Sequence, residues 1–389
     1  MHAYQEEGME SLTAWQIRSL RNRFNLSDGH ARDRLLEAEV AAIEGVTGLI
    51  SAPYLSIDQD YEEDLFVQTF MTCAEESMED VRRHRIIFQY SASSSISLVG
   101  ASLASLRLRS IGVLHPSFDN IPQLLARRGL RVVPIQEPSQ SASDEFSLPD
   151  GIDALFITMP NNPTGWVPTQ ALLATIATSC AERGLPLIVD LTFRFQGNLN
   201  YSVYSLLANV EGLELVTIED TGKTWNLNDM KCSFMAIRSE RLERVMGLVS
   251  EELLLNVSPS LISMIRRIIS VSAFPLYEDS SPLRAKRLLA ASNRQVLRDC
   301  IAPAPDIDVP DTNGFVAWVS LPPQSSAVIF AASAERNGVS ILPGDEFLWA
   351  DTQPSPHLRV ALLREPEYFA QACDILGTAF VTHGARSRI

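Results

Sequence analysis

Several residues of this chain combine a reactive or charged side chain with a place that a strand end or turn would expose. Lys223 sits in Thr217-Ile218-Glu219-Asp220-Thr221-Gly222-Lys223-Thr224-Trp225. The upstream glycine spacing of a GxxxxGK[ST] phosphate loop is missing, which leaves two roles: a surface lysine, or an amine among polar and aromatic groups that condenses with a carbonyl. Asp190 closes the apolar run Pro186-Leu187-Ile188-Val189 and is followed by Thr192, Phe193 and Arg194. A carboxylate there is costly unless paired, so a cationic partner is implied. Asn162 lies in Met159-Pro160-Asn161-Asn162-Pro163-Thr164-Gly165, and Phe118 in His115-Pro116-Ser117-Phe118 offers an aromatic face to a planar ring. Ser93, Ser94 and Ser95 follow Tyr90-Ser91-Ala92. Their hydroxyls and the amides of a helix start suit a phosphate, although a Ser-rich cap explains the same run. Near the N-terminus, Thr13 and Gln16 precede Asn25-Leu26-Ser27-Asp28-Gly29-His30-Ala31-Arg32. His30 is either an ordinary surface histidine or an acid/base group with a pKa near neutrality.

The elements between these residues alternate. Short β-branched runs at 85–91, 110–115, 131–136, 154–159, 186–191, 213–219 and 232–238 predict strands, and 96–108, 119–129 and 168–183 carry helical three-to-four spacing. Strands joined by crossover helices give an α/β fold with a mostly parallel, seven-stranded sheet covered on both faces. Ligands collect at the carboxyl ends of such strands, so the motifs can share one site. The large domain is expected at 50–250. A smaller α+β domain is expected from 36–49 with 251–389, including strands at 314–320, 339–342 and 357–363, and residues 1–35 form an N-terminal arm.

Composition narrows the partners. Lys plus Arg number 32 against 47 Asp plus Glu, a net charge of −15 in 389 residues. Sequence-independent nucleic-acid binding is therefore not expected. The five cysteines, Cys73, Cys180, Cys232, Cys300 and Cys373, are scattered without a CxxC pair, as suits reduced thiols, and no metal site is expected. The opening MHAYQEEGMESL lacks a basic, apolar signal, and no run reaches the ~18–20 apolar residues of a membrane span, so a cytoplasmic protein without a membrane partner is expected.

In their order, Asn-Asn-Pro-Thr-Gly, the strand-end aspartate, the lysine and the late Arg359 resemble the fold type I, aspartate aminotransferase-like enzymes that use pyridoxal 5'-phosphate (PLP). The resemblance implies that Lys223 links to the cofactor aldehyde and that Asp190 pairs the pyridine nitrogen. It implies that Asn162 bonds the ring hydroxyl, that Phe118 stacks on the ring, and that Arg359 holds the substrate α-carboxylate. Ser93, Ser94, Ser95, Thr192 and Lys231 complete the cofactor set, and a homodimer is implied. The chain departs from the general pattern in three places: Asp220-Thr221-Gly222 replaces phosphate-contacting serines, Lys231 replaces an arginine, and Phe193 replaces a tyrosine.

Asn-Leu-Ser-Asp-Gly-His-Ala-Arg, His-Pro-Ser-Phe-Asp-Asn-Ile and the same departures resemble the PLP-dependent L-arginine oxidases and hydroxylases of bacterial natural-product pathways. That resemblance implies a free L-amino acid substrate, most naturally L-arginine, and dioxygen. A quinonoid intermediate would lead to a 2-keto, unsaturated or 4-hydroxy-2-keto acid. Lys223 would remove the Cα proton, and His30, on a mobile arm, would act as second acid/base. Thr13, Gln16, Asp28 and Asp220 would face the substrate side chain, with Gln16 where the subgroup has glutamate. Alternatives are a conventional aminotransferase with a keto-acid acceptor, the same oxidase chemistry on another amino acid, and a non-catalytic binding protein of this fold.

Overall fold

The apolar runs that end in chemistry-bearing residues form the centre of a seven-stranded sheet in a computed structural model, which describes residues 11–50, 58–138, 146–197, 199–227, 230–275, 280–304, 306–312, 314–351 and 354–386. In chain order the strands are β1 (Phe24–Asn25), β2 (Arg85–Gln89), β3 (Ser110–His115), β4 (Arg131–Gln136), β5 (Ala154–Thr158) and β6 (Leu187–Asp190). They continue with β7 (Leu215–Asp220), β8 (Ser233–Arg238), β9 (Val316–Ser320), β10 (Val339–Ser340), β11 (Leu342–Pro343) and β12 (His357–Ala361). The helices begin with α1 (Leu12–Ser19), α2 (Glu37–Ile50), α3 (Gln59–Cys73), α4 (Met78–Val81), α5 (Ala92–Ser105), α6 (Asn120–Arg127) and α7 (Gln170–Arg183). They end with α8 (Val203–Ala208), α9 (Glu240–Leu254), α10 (Pro259–Ala273), α11 (Pro282–Ile301), α12 (Ala327–Arg336) and α13 (Pro366–Arg386).

The large sheet runs β2-β8-β7-β6-β5-β3-β4, and β8 alone is antiparallel to its neighbours. The central strands β5, β6 and β7 are buried at every position, as a sheet covered on both faces requires. Alternate side chains go to opposite layers. Leu155, Ile157, Leu187 and Val189 pack with residues of α7 and α8, while Ala154, Phe156 and Ile188 pack with α5, α6 and α9. Register sets the site: Thr158 lies opposite Asp190, and Asp190 opposite Ile218, so β7 runs two residues further to Asp220.

Two expectations about the large sheet and its helices need correction. The helix expected at 96–108 begins at Ala92, because Ser91 and Ser94 close a reciprocal capping box four residues earlier. The division into 50–250 against 36–49 with 251–389 does not follow the packing of the helices. Helix α10 packs on α2 and α3, and their apolar faces join Phe88 of β2 and Phe234 of β8 in one cluster, so these helices cover the large sheet.

The smaller sheet is antiparallel, β11-β12-β9, with α11, α12 and α13 around it. The run expected as one strand at 339–342 serves two partners: β10 pairs in parallel with β1 of the arm, and β11 pairs with β12. Leu12, Trp15, Phe24 and Leu26 of the arm are buried in the same core. Among the described residues, no single helix is long and apolar enough to cross a membrane.

Candidate active site

Thr221 to Trp225 form a turn at the end of β7 that is tied down on both sides. Thr221 N donates to Cys232 O at 3.0 Å, and Trp225, fully buried, donates from Nε1 to Ser272 Oγ at 3.0 Å. A Cβ at Gly222 would lie 2.8 Å from Lys231 Cδ, so a larger residue there would displace the lysine stem. Lys223 projects from this turn to His30, Nζ to Nε2 at 3.1 Å, and its Nζ lies 5.9 Å from the centre of the Phe193 ring. Burial lowers the Lys223 pKa to about 8, against the upward pull of Asp28 and Asp220. One layer behind, Arg194 pairs with Glu76 at 3.1 Å and Glu219 at 3.0 Å, and burial pushes Glu219 up to about 8.

Asp28 binds His30 Nδ1 and, through its other oxygen, Arg32 Nη2 at 2.8 Å and Nε at 3.0 Å. Burial raises the Asp28 pKa, but the hydrogen bond and charge of His30, then Lys223 and Arg32, outweigh it and hold the group ionised. An ionised carboxylate only accepts, so His30 carries its proton on Nδ1 and offers the Nε2 lone pair to Lys223. Burial, followed by Lys223, lowers the His30 pKa to about 4, which keeps the ring neutral at pH 7.

Asp190 accepts from Thr192 N at 3.0 Å, Thr192 Oγ1 at 2.6 Å and Thr158 Oγ1 at 3.4 Å. Burial raises its pKa to about 6, and it has no cationic partner among the described residues. Arg359 is 1% exposed; its Nη2 donates to Ser27 O, its Nη1 to Asn162 Oδ1 at 3.3 Å, and its Nε has no hydrogen-bond partner among the described residues. Gly29 lies against this guanidinium, 3.5 Å from Nη1 to the place of a Cβ.

The structure thus gathers Lys223, His30, Asp28, Asp220, Asn162, Arg359 and the stem of Lys231, while several other expected contacts go elsewhere. Ser95 Oγ meets Ser233 Oγ at 2.9 Å inside the core, because the fourth residue of α5 faces the sheet. Ser94 is engaged in the capping box and Ser93 accepts from Asn120 Nδ2 at 2.9 Å. Phe118 is half-buried and meets Phe347 edge-on at 5.9 Å. Both carboxylates expected to face a substrate are taken up within the chain: Asp28 as described, and Asp220 by Ala92 N at 3.0 Å and Gly222 N at 2.6 Å. Thr13 is exposed on α1, and Gln16 donates from Nε2 to Ser27 O at 3.2 Å, the carbonyl that Arg359 also binds.

The described residues of the arm, from 11 on, are tied into the fold. Arg364, 2% exposed, donates to the carbonyls of Asn25 at 2.8 Å, Asp28 at 2.5 Å and His30 at 2.9 Å. Further along, Asp33 binds Lys286 at 2.7 Å and its carbonyl accepts from Asn226 Nδ2 at 2.7 Å, three residues past the lysine. Neither Arg364 nor Lys286 stands in a motif, so the sequence carried no signal for them.

Residues 25–376 match the family described as aminotransferase class I and II. The chain belongs to that family. It resembles MppP, in a structure soaked with the product 2-ketoarginine, with a TM-score of 0.81 and 28% identity over 92% of this chain and 100% of that one. The aspartate aminotransferase of Thermus thermophilus, solved with maleate, shares the fold at a TM-score of 0.74 and 15% identity, covering 96% and 97% of the two chains. Among curated proteins, an aromatic aminotransferase of Arabidopsis thaliana is 27% identical over 48% of this chain and 46% of its own length. An L-aspartate:5-guanidino-3-methyl-2-oxopentanoate transaminase of Pseudomonas syringae pv. syringae is 23% identical over 44% of this chain and 45% of its own. The chain thus matches about half the length of these curated relatives.

Members of this family depend on PLP, and this aminotransferase-like enzyme does too. The donor set fits the group. Asp190, a buried carboxylate with no cationic partner among the described residues, suits the protonated pyridine nitrogen. Lys223 would hold the aldehyde carbon, Asn162 the ring oxygen, and the start of α5 with Lys231 the phosphate. When bound, PLP supplies an electron sink for charge developing at the substrate Cα.

Proposed function

We propose that this enzyme is a PLP- and dioxygen-dependent oxidase of a free L-amino acid, L-arginine first, yielding a 2-keto acid or its unsaturated or 4-hydroxylated relative. The observation that carries the reading is the Asp28–His30–Lys223 chain. It puts a second acid/base, neutral at pH 7, 3.1 Å from the lysine amine. Lys223 moves the Cα proton, and His30 Nε2 takes up or returns a proton beside it. Asp28 keeps the imidazole in one tautomer and stabilises its charged form. The arm, fixed by Arg364, roofs the site and keeps bulk water from it. Arg359 holds the α-carboxylate, and its lone Nε and its weak bond to Asn162 leave donors for that task. The likeness to MppP with 2-ketoarginine supports the 2-keto product and the arginine side chain.

Asp28 and Asp220 are both engaged and Thr13 is exposed, so among the expected side-chain contacts the neutral amide of Gln16 is left to meet the substrate. A neutral amide contributes about 1 kcal/mol to a guanidinium hydrogen bond, against about 1.5–3 for a carboxylate. Arginine binding is accordingly weak. A second reading, transamination, draws on the curated relatives, one of which acts on a guanidino keto acid by name. A panel of L-amino acids mixed with holoenzyme in an oxygen electrode separates substrates: arginine should give the fastest uptake, and no uptake with any member overturns the oxidase reading. A homodimer and a cytoplasmic setting complete this proposal.

A further inference from the structure

Away from the cofactor residues, three arginines of α11 converge on a cavity of about 380 Å³. Arg287, Arg294 and Arg298 follow each other by seven and four positions, which puts them on one helix face, and the small Ala291 between them leaves the space open. The one carboxylate among the lining residues is Asp311, 84% exposed and 3.2 Å from Arg298. Arg294 is buried and donates to neutral carbonyls, Gly314 O at 2.6 Å and Val316 O at 3.2 Å; among the described residues it forms no ion pair, and the charge of the exposed Asp311 acts on it without direct contact. Arg287 is exposed and makes no ion pair or hydrogen bond among the described residues. In a chain of net charge −15, three arginines against one exposed carboxylate are a local excess of cation facing an open space, and a buried guanidinium without an ion-pair partner favours an anion beside it.

The opposite walls are the backs of the loops that carry the cofactor residues. Gly197 ends the turn that follows Asp190, and its backbone packs against Pro160 so closely that a Cβ would overlap that ring. Thr312 lies against Gly165, at the end of the loop that carries Asn162. Gln196, next to Gly197, donates from Nε2 to the carbonyl of Lys223 at 3.3 Å.

We infer that this cavity binds a small multivalent oxyanion, a phosphate or carboxylate compound, held by Arg287, Arg294 and Arg298. The bound anion bridges α11 to the loops behind Asp190 and Lys223 and stabilises the folded holoenzyme by linkage. The inference is independent of the oxidase reading, because its test measures binding rather than turnover.

Holoenzyme whose cofactor link has been fixed by borohydride, so that the cofactor phosphate site stays filled, is titrated calorimetrically with inorganic phosphate and, separately, citrate at matched ionic strength. Saturable binding of one anion per chain is expected. It should weaken at least tenfold in an Arg287→Ala/Arg298→Ala double variant with unchanged circular dichroism and cofactor content. Whichever probe binds more tightly assigns the ligand to the phosphate or the carboxylate compounds. No saturable binding of either probe, or undiminished binding in the double variant, overturns the proposal. Should the double variant fold poorly, Ala291→Glu, a surface change that puts a carboxylate among the arginines, is expected to give the same loss, and undiminished binding there overturns it equally.

Discussion

The floor of the site and its roof are held by different means. On the floor, polar groups are fixed from within the large sheet and its helices: Asp190 by Thr192 two positions on and Thr158 on the adjacent strand, Asp220 by Gly222 and by Ala92 at the start of α5. The roof, residues 24–33, is held from the far end of the chain. Arg364 binds three of its carbonyls, Arg359 binds Ser27, and Phe24 N reaches Gly338 O at 2.9 Å. The floor therefore forms with the large sheet, whereas the roof depends on two buried guanidinium groups in long-range contact. Loss of a roof cation should release His30 from Lys223 and leave the cofactor bound.

The largest effect is expected on the floor. Lys223→Ala should abolish turnover and the visible absorbance of the lysine-bound cofactor, and peptide mapping after borohydride should find no label; a label at another lysine would contradict the assignment. Arg364→Met removes four charge-assisted bonds, three of them to the roof, each contributing about 1.5–3 kcal/mol in such settings. Turnover should fall more than tenfold while cofactor content, measured by absorbance, stays near one per chain. Equal loss of both would mean that floor and roof cannot be separated.

A subtler probe crosses between the two. The cofactor link needs a neutral amine, so the rate of PLP uptake by apoprotein should rise with pH through about 8, where burial has lowered Lys223. Asp28→Asn removes a negative charge that holds the lysine proton, so this midpoint should move to lower pH. A wild-type midpoint near 10.5, the ordinary lysine value, would show that the amine is not desolvated. The smallest effect concerns the substrate end. Gln16→Glu should tighten arginine about tenfold in KM, since it exchanges a neutral acceptor for a charged one; unchanged KM would remove this residue from the side-chain pocket.

The same contrast explains what the amino-acid sequence made legible. Strand-end residues such as Asn162, Asp190 and Lys223 stand out because their runs are short, local and bounded, and the seven-strand sheet follows from the same pattern. Asp28 is in plain view, but its tie to His30 depends on how the arm is laid down, and it reads equally well as a substrate contact. Ser95 reads as a phosphate ligand until the capping box of Ser91 and Ser94 sets the helix start and turns it to the core. The placing of α2 and α10 on the large sheet rests on contacts between distant aromatic and aliphatic residues, which no local period reports.

An oxidase runs on an amino acid and dioxygen without a second keto-acid substrate, and that separates it from a transaminase. Purified holoenzyme should be mixed with L-arginine in air-saturated buffer free of keto acids, with oxygen and 2-keto acid followed together. Oxygen consumption with matching keto-acid formation over many turnovers is expected. Turnover that begins only when 2-oxoglutarate or pyruvate is added would contradict the oxidase reading and identify a transaminase.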